Sequence, residues 1–102
     1  MVAIAQKWAG SSQLGSGSYT YDLPSLVNDA THTITGLTLT GLEVGDWIDI
    51  TTPSNWGSNG IIVEAVWVTA ADTFSVTVRN ISGVTKDVAN AGFKAFAFFA
   101  DI

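Results

Sequence analysis

Apolar and polar residues alternate with a period of two along most of this chain, the pattern of β-strands that turn one face to a core. The strongest signal is the apolar run at 60–69, followed by Ala70-Ala71-Asp72 and a second run at 73–80. Two runs rich in β-branched and aromatic residues, joined by about three small or polar ones, predict an antiparallel hairpin. In its second arm Phe74, Val76 and Val78 share one face, while Thr73, Ser75, Thr77 and Arg79 share the other. The first arm is apolar on both faces except at Glu64. That contrast predicts a first arm placed centrally or at an interface and a second arm nearer the wet surface.

The remaining elements follow by the same reasoning. Tyr19-Thr20-Tyr21 forms a short strand ending at Asp22-Leu23-Pro24, and Pro24 disfavours helix at Leu23, so 23–30 reads as a loop with at most one helical turn. The threonine alternation at 31–40 is β, and its apolar phase moves from even to odd positions at Gly36, which predicts a β-bulge there. Gly41 and Gly45 bracket a turn into Asp46-Trp47-Ile48-Asp49-Ile50, with Ile48 and Ile50 facing in and Trp47 and Asp49 facing out. Residues 51–59 form a polar loop whose Trp56 is either folded back onto the core or presented to a partner. Irregular chain at 81–92 leads to a closing strand at 93–100, with Phe93 and Phe99 on one face and Phe96 and Phe98 on the other. About seven short strands without a convincing helix predict an all-β fold, a single small antiparallel sandwich or barrel.

The first residues differ in kind. Val2, Ile4 and Trp8 alternate with small residues, and Gly10-Ser11-Ser12-Gln13-Leu14-Gly15-Ser16-Gly17-Ser18 has the composition of a flexible linker. Residues 1–18 are therefore read as an extended arm and tether ahead of a β-sandwich domain at 19–102. Fully extended, 17 residues reach at most about 55 Å, several times the roughly 13 Å radius of gyration of a 100-residue domain.

Composition narrows the function. The 102 residues include no cysteine, which excludes disulfides and thiolate chemistry, and 47% are hydrophobic while only 13% are charged. That charged fraction is about half the usual one, so much of the surface is expected to be covered by a partner. With a net charge of −5 and only Lys7, Arg79, Lys86 and Lys94 as cations, the chain lacks the basic stripe that nucleic acid demands and has little to offer an anionic membrane. The short apolar opening after Met1 lacks the basic lead-in of a secretion signal, so the chain reads as a whole, unprocessed cytosolic product.

Candidate chemistry is sparse. His32 is the only histidine and sits in a threonine-rich strand, where a structural role is the commoner one. Asp46 and Asp49 lie three apart on a strand and point to opposite faces, which makes them poor partners in acid–base work. Glu43, Asp46 and Asp72 are the candidates for a calcium site at loop ends, but turn residues and solvated charges explain them more simply. No enzyme activity, metal or cofactor is expected. Trp47, Trp56 and Trp67 with Tyr19 and Tyr21 offer a sugar-stacking platform, weighed against the usual role of tryptophans as core and interface anchors.

The order of features from Thr31 onward resembles a small all-β module of tailed-phage virion proteins. The pieces that carry the likeness are Val44-Gly45-Asp46, then Ala70-Ala71-Asp72-Thr73 with the following Val76-Thr77-Val78-Arg79-Asn80. The pattern is similar to head-decoration (cement) proteins, head fibres and tail-fibre end domains, and it departs from them in its aromatic C-terminus and in its short arm without a stalk. The resemblance implies a structural protein on the virion surface, made in the host cytoplasm. It further implies a homotrimer that binds the major capsid protein and bridges coat subunits; a glycan- or receptor-binding fibre tip is the alternative. Interface residues expected on this reading are Val2, Ile4, Trp8, Trp47, Trp56, Trp67, Phe96 and Phe98.

Overall fold

A computed structural model describes residues 14–98. Within them the chain forms strand β1 (Leu14–Tyr21), β2 (Thr31–Thr38) and β3 (Trp47–Ile50), a short helix α1 (Ser54–Ser58), then β4 (Ile61–Ala70), β5 (Thr73–Asn80) and β6 (Ala91–Phe98). The strands make two antiparallel sheets of three, ordered β1-β6-β3 and β2-β5-β4, packed on each other as a small open sandwich and not closed into a barrel. Six of the expected strands are present. The one read at residues 1–9 lies outside the described residues, as does the extended arm.

Two boundaries differ from the sequence reading. The Gly/Ser run taken as linker up to Ser18 is already strand from Leu14, because Gly15-Ser16-Gly17-Ser18 continues the alternation of Tyr19-Thr20-Tyr21 and pairs in register with Ala97, Phe96, Ala95 and Lys94. The polar loop at 51–59 holds helix α1, preceded by Pro53 in extended geometry. Its sequence, Ser-Asn-Trp-Gly-Ser, has weak helix propensity. What holds the turn is burial of Trp56, which is 0% exposed with its ring 5.6 Å from that of Phe93. The Trp56 Nε1–H meets no acceptor among the described residues, so apolar area anchors the ring, not a hydrogen bond.

The central hairpin also needs correction. β5, not β4, is the middle strand of its sheet, and Phe74, Val76 and Val78 form the floor of the core. β4 is an edge strand. Its pairing with β5 slips by one residue between Val63 and Ala65, so Ile61 and Val63 face in before Glu64 and Val66 and Val68 face in after it. A phase reversal in mid-strand makes a one-sided strand read as apolar on both faces. The bulge expected at Gly36 is present: the β2–β5 register shifts between Ile34 and Leu37, and Gly36 has φ +74°, a left-handed conformation that costs a side-chain-bearing residue about 1–2 kcal/mol.

The sheets are joined by the two tyrosines of β1. Tyr19 stacks on Phe93 of one sheet (5.5 Å) and meets Phe74 of the other edge-on (5.4 Å), and its hydroxyl donates to the Thr38 carbonyl at 2.7 Å. Two residues on, the Tyr21 hydroxyl lies 2.7 Å from His32 Nε2 on β2. Gly17 is what lets the Tyr19 ring fold back, since a Cβ at Gly17 would overlap the Tyr19 hydroxyl.

Each end of the sandwich is held by one polar side chain. At one end Asp72, at φ +61° in the β4–β5 turn, accepts the Gly41 N–H on Oδ1 (2.7 Å), while its own N–H donates to Leu42 O (2.8 Å). At the other, the fully buried Asn80 donates from Nδ2 to Leu26 O and Val84 O and accepts the Ser82 N–H on Oδ1, each at 2.8 Å. Replacing Asn80 by Asp turns two donors into an acceptor facing two carbonyls, and a buried polar group left unmatched costs about 1–3 kcal/mol. Urea titration of Asn80→Asp is expected to lose at least that much, and more than Asn80→Ala.

Burial pushes the Tyr19 hydroxyl above its ordinary pKa of 10.0. The folded state therefore resists ionisation, so the contribution of the neutral phenol is complete below about pH 10 and is lost as pH rises through the folded value. Tyr19→Phe is expected to cost about 0.5–1.5 kcal/mol at neutral pH through the lost hydrogen bond. Between pH 9 and 11, denaturant titrations should show the parent chain losing more stability than this variant.

Candidate functional site

β6 is built inside out. Its inward positions are Ala91, Phe93, Ala95 and Ala97, all buried, while Phe96 and Phe98 project from the outer face. Opposite Ala97 and Ala95 on β1 the inner positions are Gly15 and Gly17, so at this end of the two strands small residues face the core while Phe96 and Phe98 point away from it. Space for large inner residues is already taken by Tyr19, Phe93, Trp56 and the β5 side chains, which leaves room only for alanine at 95 and 97.

Across from β6, β3 obeys the expected alternation, with Ile48 buried and Trp47 and Asp49 outward. The register sets Trp47 opposite Phe98 and Asp49 opposite Phe96, and the Trp47 and Phe98 rings are 5.2 Å apart. Trp47 is 53% exposed and Phe96 37%. Together they form an aromatic face on the outside of the β1-β6-β3 sheet. Hydroxyl and charged groups edge it: Ser16 pairs with Phe96 and Ser18 with Lys94. The Asp49 carboxylate is turned back to accept the Ile50 N–H at 2.8 Å.

The outer face of the other sheet has a different character. There the Thr33 and Thr77 hydroxyls meet at 2.9 Å, and Arg79 Nε donates to Glu64 Oε2 at 2.6 Å. This ion pair raises the Arg79 pKa, first through the hydrogen bond to Glu64 and then through its charge. Trp67 and Ile62 project at the β4 edge, each 40% exposed.

The eight residues expected at an interface thus divide. Trp47, Phe96 and Phe98 come together, and Trp67 stands on the opposite outer face. Trp56 is a core residue and is withdrawn as an interface candidate, because helix α1 folds it inward. Val2, Ile4 and Trp8 lie outside the described residues. The sugar platform drawn from three tryptophans and two tyrosines does not assemble as one surface: Trp56 is in the core, Tyr19 and Tyr21 lie between the sheets, and Trp47 and Trp67 face opposite ways. His32 is the hydrogen-bond partner of Tyr21. Asp46 accepts the Glu43 N–H at 2.9 Å and Asp72 that of Gly41, so both acids serve turns.

Sequence reasoning passed over Asn80, although a polar residue closing an apolar strand ahead of Ser82-Gly83 marks a loop anchor. It also passed over Val27, Ile81 and Val84, three exposed aliphatics on the loops that Asn80 ties together. Comparison with known proteins finds no matching family model, no matching curated protein and no matching solved structure.

If β6 is inside out because its inner space is full, its two faces should respond oppositely to changes in size. Phe96→Thr is expected to cost under about 1 kcal/mol, as for surface changes that lose one cross-strand pair. Ala97→Leu is expected to cost about 1–3 kcal/mol by overpacking. Thermal unfolding of the two variants checks the contrast.

Proposed function

We propose that this chain is a non-catalytic building block of a larger protein shell, set into it by the aromatic face of the β1-β6-β3 sheet. The observation that carries the reading is the placement of Trp47, Phe96 and Phe98 on one outer face of a chain with only 13% charged residues. Apolar area left in water forgoes about 25 cal/mol per Å², and a cluster of large aromatics depleted of charge has the make-up of an interface centre. Trp and Tyr dominate binding energy at such centres, where a rim of polar groups excludes water. Here Ser16, Ser18, Asp49 and Lys94 supply that rim.

The likeness of 41–46 and 68–80 to tailed-phage modules gives the shell a kind. On this reading the chain is a head-decoration protein that binds the major capsid protein from outside and bridges coat subunits, as a homotrimer by analogy and by the prevalence of closed symmetry among identical chains. Each contact is modest, and repetition over a lattice makes their sum large. Electron microscopy of virions with and without the chain, alongside sedimentation of mixtures, tests the role. Copies should appear at regular positions on the head, and Trp47→Asp with Phe96→Asp should weaken binding at least tenfold while the domain stays folded. Binding unchanged in that variant would remove the aromatic face from the mechanism.

The exposed Trp47 ring also favours a second reading, a fibre tip that stacks sugar rings. Saturable quenching of tryptophan fluorescence by defined glycans would support it, and flat titrations across a broad panel would discard it.

A further inference from the structure

Strand β6 carries a glycine that its own backbone does not require. Gly92 lies outside the left-handed region, and a Cβ there would make ordinary contacts with Tyr19 O at 3.6 Å and Thr20 Cγ2 at 3.8 Å. Glycine inside a strand forfeits side-chain packing and backbone entropy. Where neither φ nor crowding calls for it, it marks a place that another backbone approaches closely. An open hollow of about 360 Å³ lies over Gly92, on the same outer face as Phe96. Ser18, Thr20, Thr51 and Lys94 rim it.

The rim is held by strand pairing. Ser18 lies opposite Lys94 and Thr20 opposite Gly92. The Thr51 N–H donates to Lys94 O at 2.8 Å, and Thr51 Oγ1 accepts the Lys94 N–H at 3.0 Å. These bonds fix the Lys94 backbone and leave its ammonium uncommitted. Arg79 is paired with Glu64, whereas Lys94 makes no ion pair among the described residues. Asp49, on the same face, gives its carboxylate to the Ile50 N–H. A chain of net charge −5 thus sets an uncompensated cation among hydroxyls, beside the hollow and about 7 Å along the strand from Phe96.

We propose that this hollow receives an aspartate or glutamate side chain of the protein surface that the aromatic face is set against, its carboxylate bonded to Lys94 Nζ and the Ser18 and Thr20 hydroxyls. The inference rests on the assembly role proposed above and gives the partner a chemistry. An acidic residue enters over Gly92, and a large apolar one beside it lies on Phe96 and Trp47. Elsewhere the surplus of carboxylates on this chain repels an acid, so the pair at Lys94 sets the register while the aromatics supply most of the affinity. A protein carboxylate is preferred to an acidic sugar because the glycine admits a peptide backbone and the adjoining aromatics have the make-up of an interface centre.

Sedimentation of the chain with particles that lack it, at about 50 and about 500 mM NaCl, decides the point. The affinity of the parent chain should fall with salt. Lys94→Gln should bind about tenfold more weakly at the lower salt and lose most of the salt dependence, and Lys94→Glu should bind more weakly still. Gly92→Leu, whose Cβ the strand accommodates, should fill the hollow and weaken binding about tenfold as well. Should thermal unfolding show Gly92→Leu to be misfolded, the two variants of the exposed Lys94 carry the test alone. Lys94→Glu binding as tightly as the parent overturns the inference; if Trp47→Asp with Phe96→Asp still weakens binding, the assembly role stands without it. A parent chain that binds no particle overturns both. Saturable quenching of tryptophan fluorescence by an acidic glycan, lost in Lys94→Gln while binding to particles is unchanged, gives the hollow to a sugar and overturns it equally.

Discussion

Everything else in this molecule depends on Tyr19 reaching from one sheet to the other. Among the described residues each sheet has only three strands, and in one of them half of the inward positions are glycine or alanine, so neither encloses a core by itself. The Tyr19 ring supplies the missing bulk between Phe93 and Phe74, and its hydroxyl secures β1 to the end of β2. Tyr21 repeats the link through His32. This accounts for the glycine two residues before Tyr19, since the ring lies back over Gly17. A Gly/Ser stretch that looks loose by composition is thereby a constrained strand.

Filling the interior from β1, β5 and α1 has a consequence on the far side of β6. With the space beneath Ala95 and Ala97 taken, large side chains on that strand can only point outward, and there Phe96 and Phe98 meet Trp47. A domain optimised to stand alone would put threonine or lysine at such positions, as the other sheet does with Thr33, Thr77 and the Glu64–Arg79 pair. The contrast between the two outer faces is what the proposed assembly role rests on. One face carries hydroxyls and an ion pair with Trp67 and Ile62 at its β4 edge, and the other gathers Trp47, Phe96 and Phe98, which the proposed role sets against a protein surface.

Much of the fold was legible because alternation is a local property. The bulge at Gly36, the turn at Gly41 to Asp46, the inward Ile48 and Ile50, and the opposite faces of Phe93 and Phe96 all follow from residue spacing alone. What failed did so where a local pattern has two tertiary solutions. An apolar run such as 61–68 is either a buried central strand or an edge strand with a phase slip, and only its partners decide. Trp56 sits in five residues of poor helix propensity, and its burial depends on Phe93, far along the chain. At the candidate site, Trp47 was recognisable as outward and Phe96 and Phe98 as sharing one face, but their meeting required the β3–β6 pairing that joins segments almost fifty residues apart. The tryptophans that composition grouped together were separated by the same topology.

The central claim is that the Trp47, Phe96 and Phe98 face is covered when the protein is in its working assembly. Hydroxyl-radical footprinting of the chain, free in dilute solution and within purified particles, measures this directly for each side chain. The account predicts that oxidation of Trp47, Phe96 and Phe98 falls sharply in particles, while buried Trp56 stays unreactive in both states. Labelling of Trp47 and Phe96 that is as strong in particles as in the free chain would contradict it.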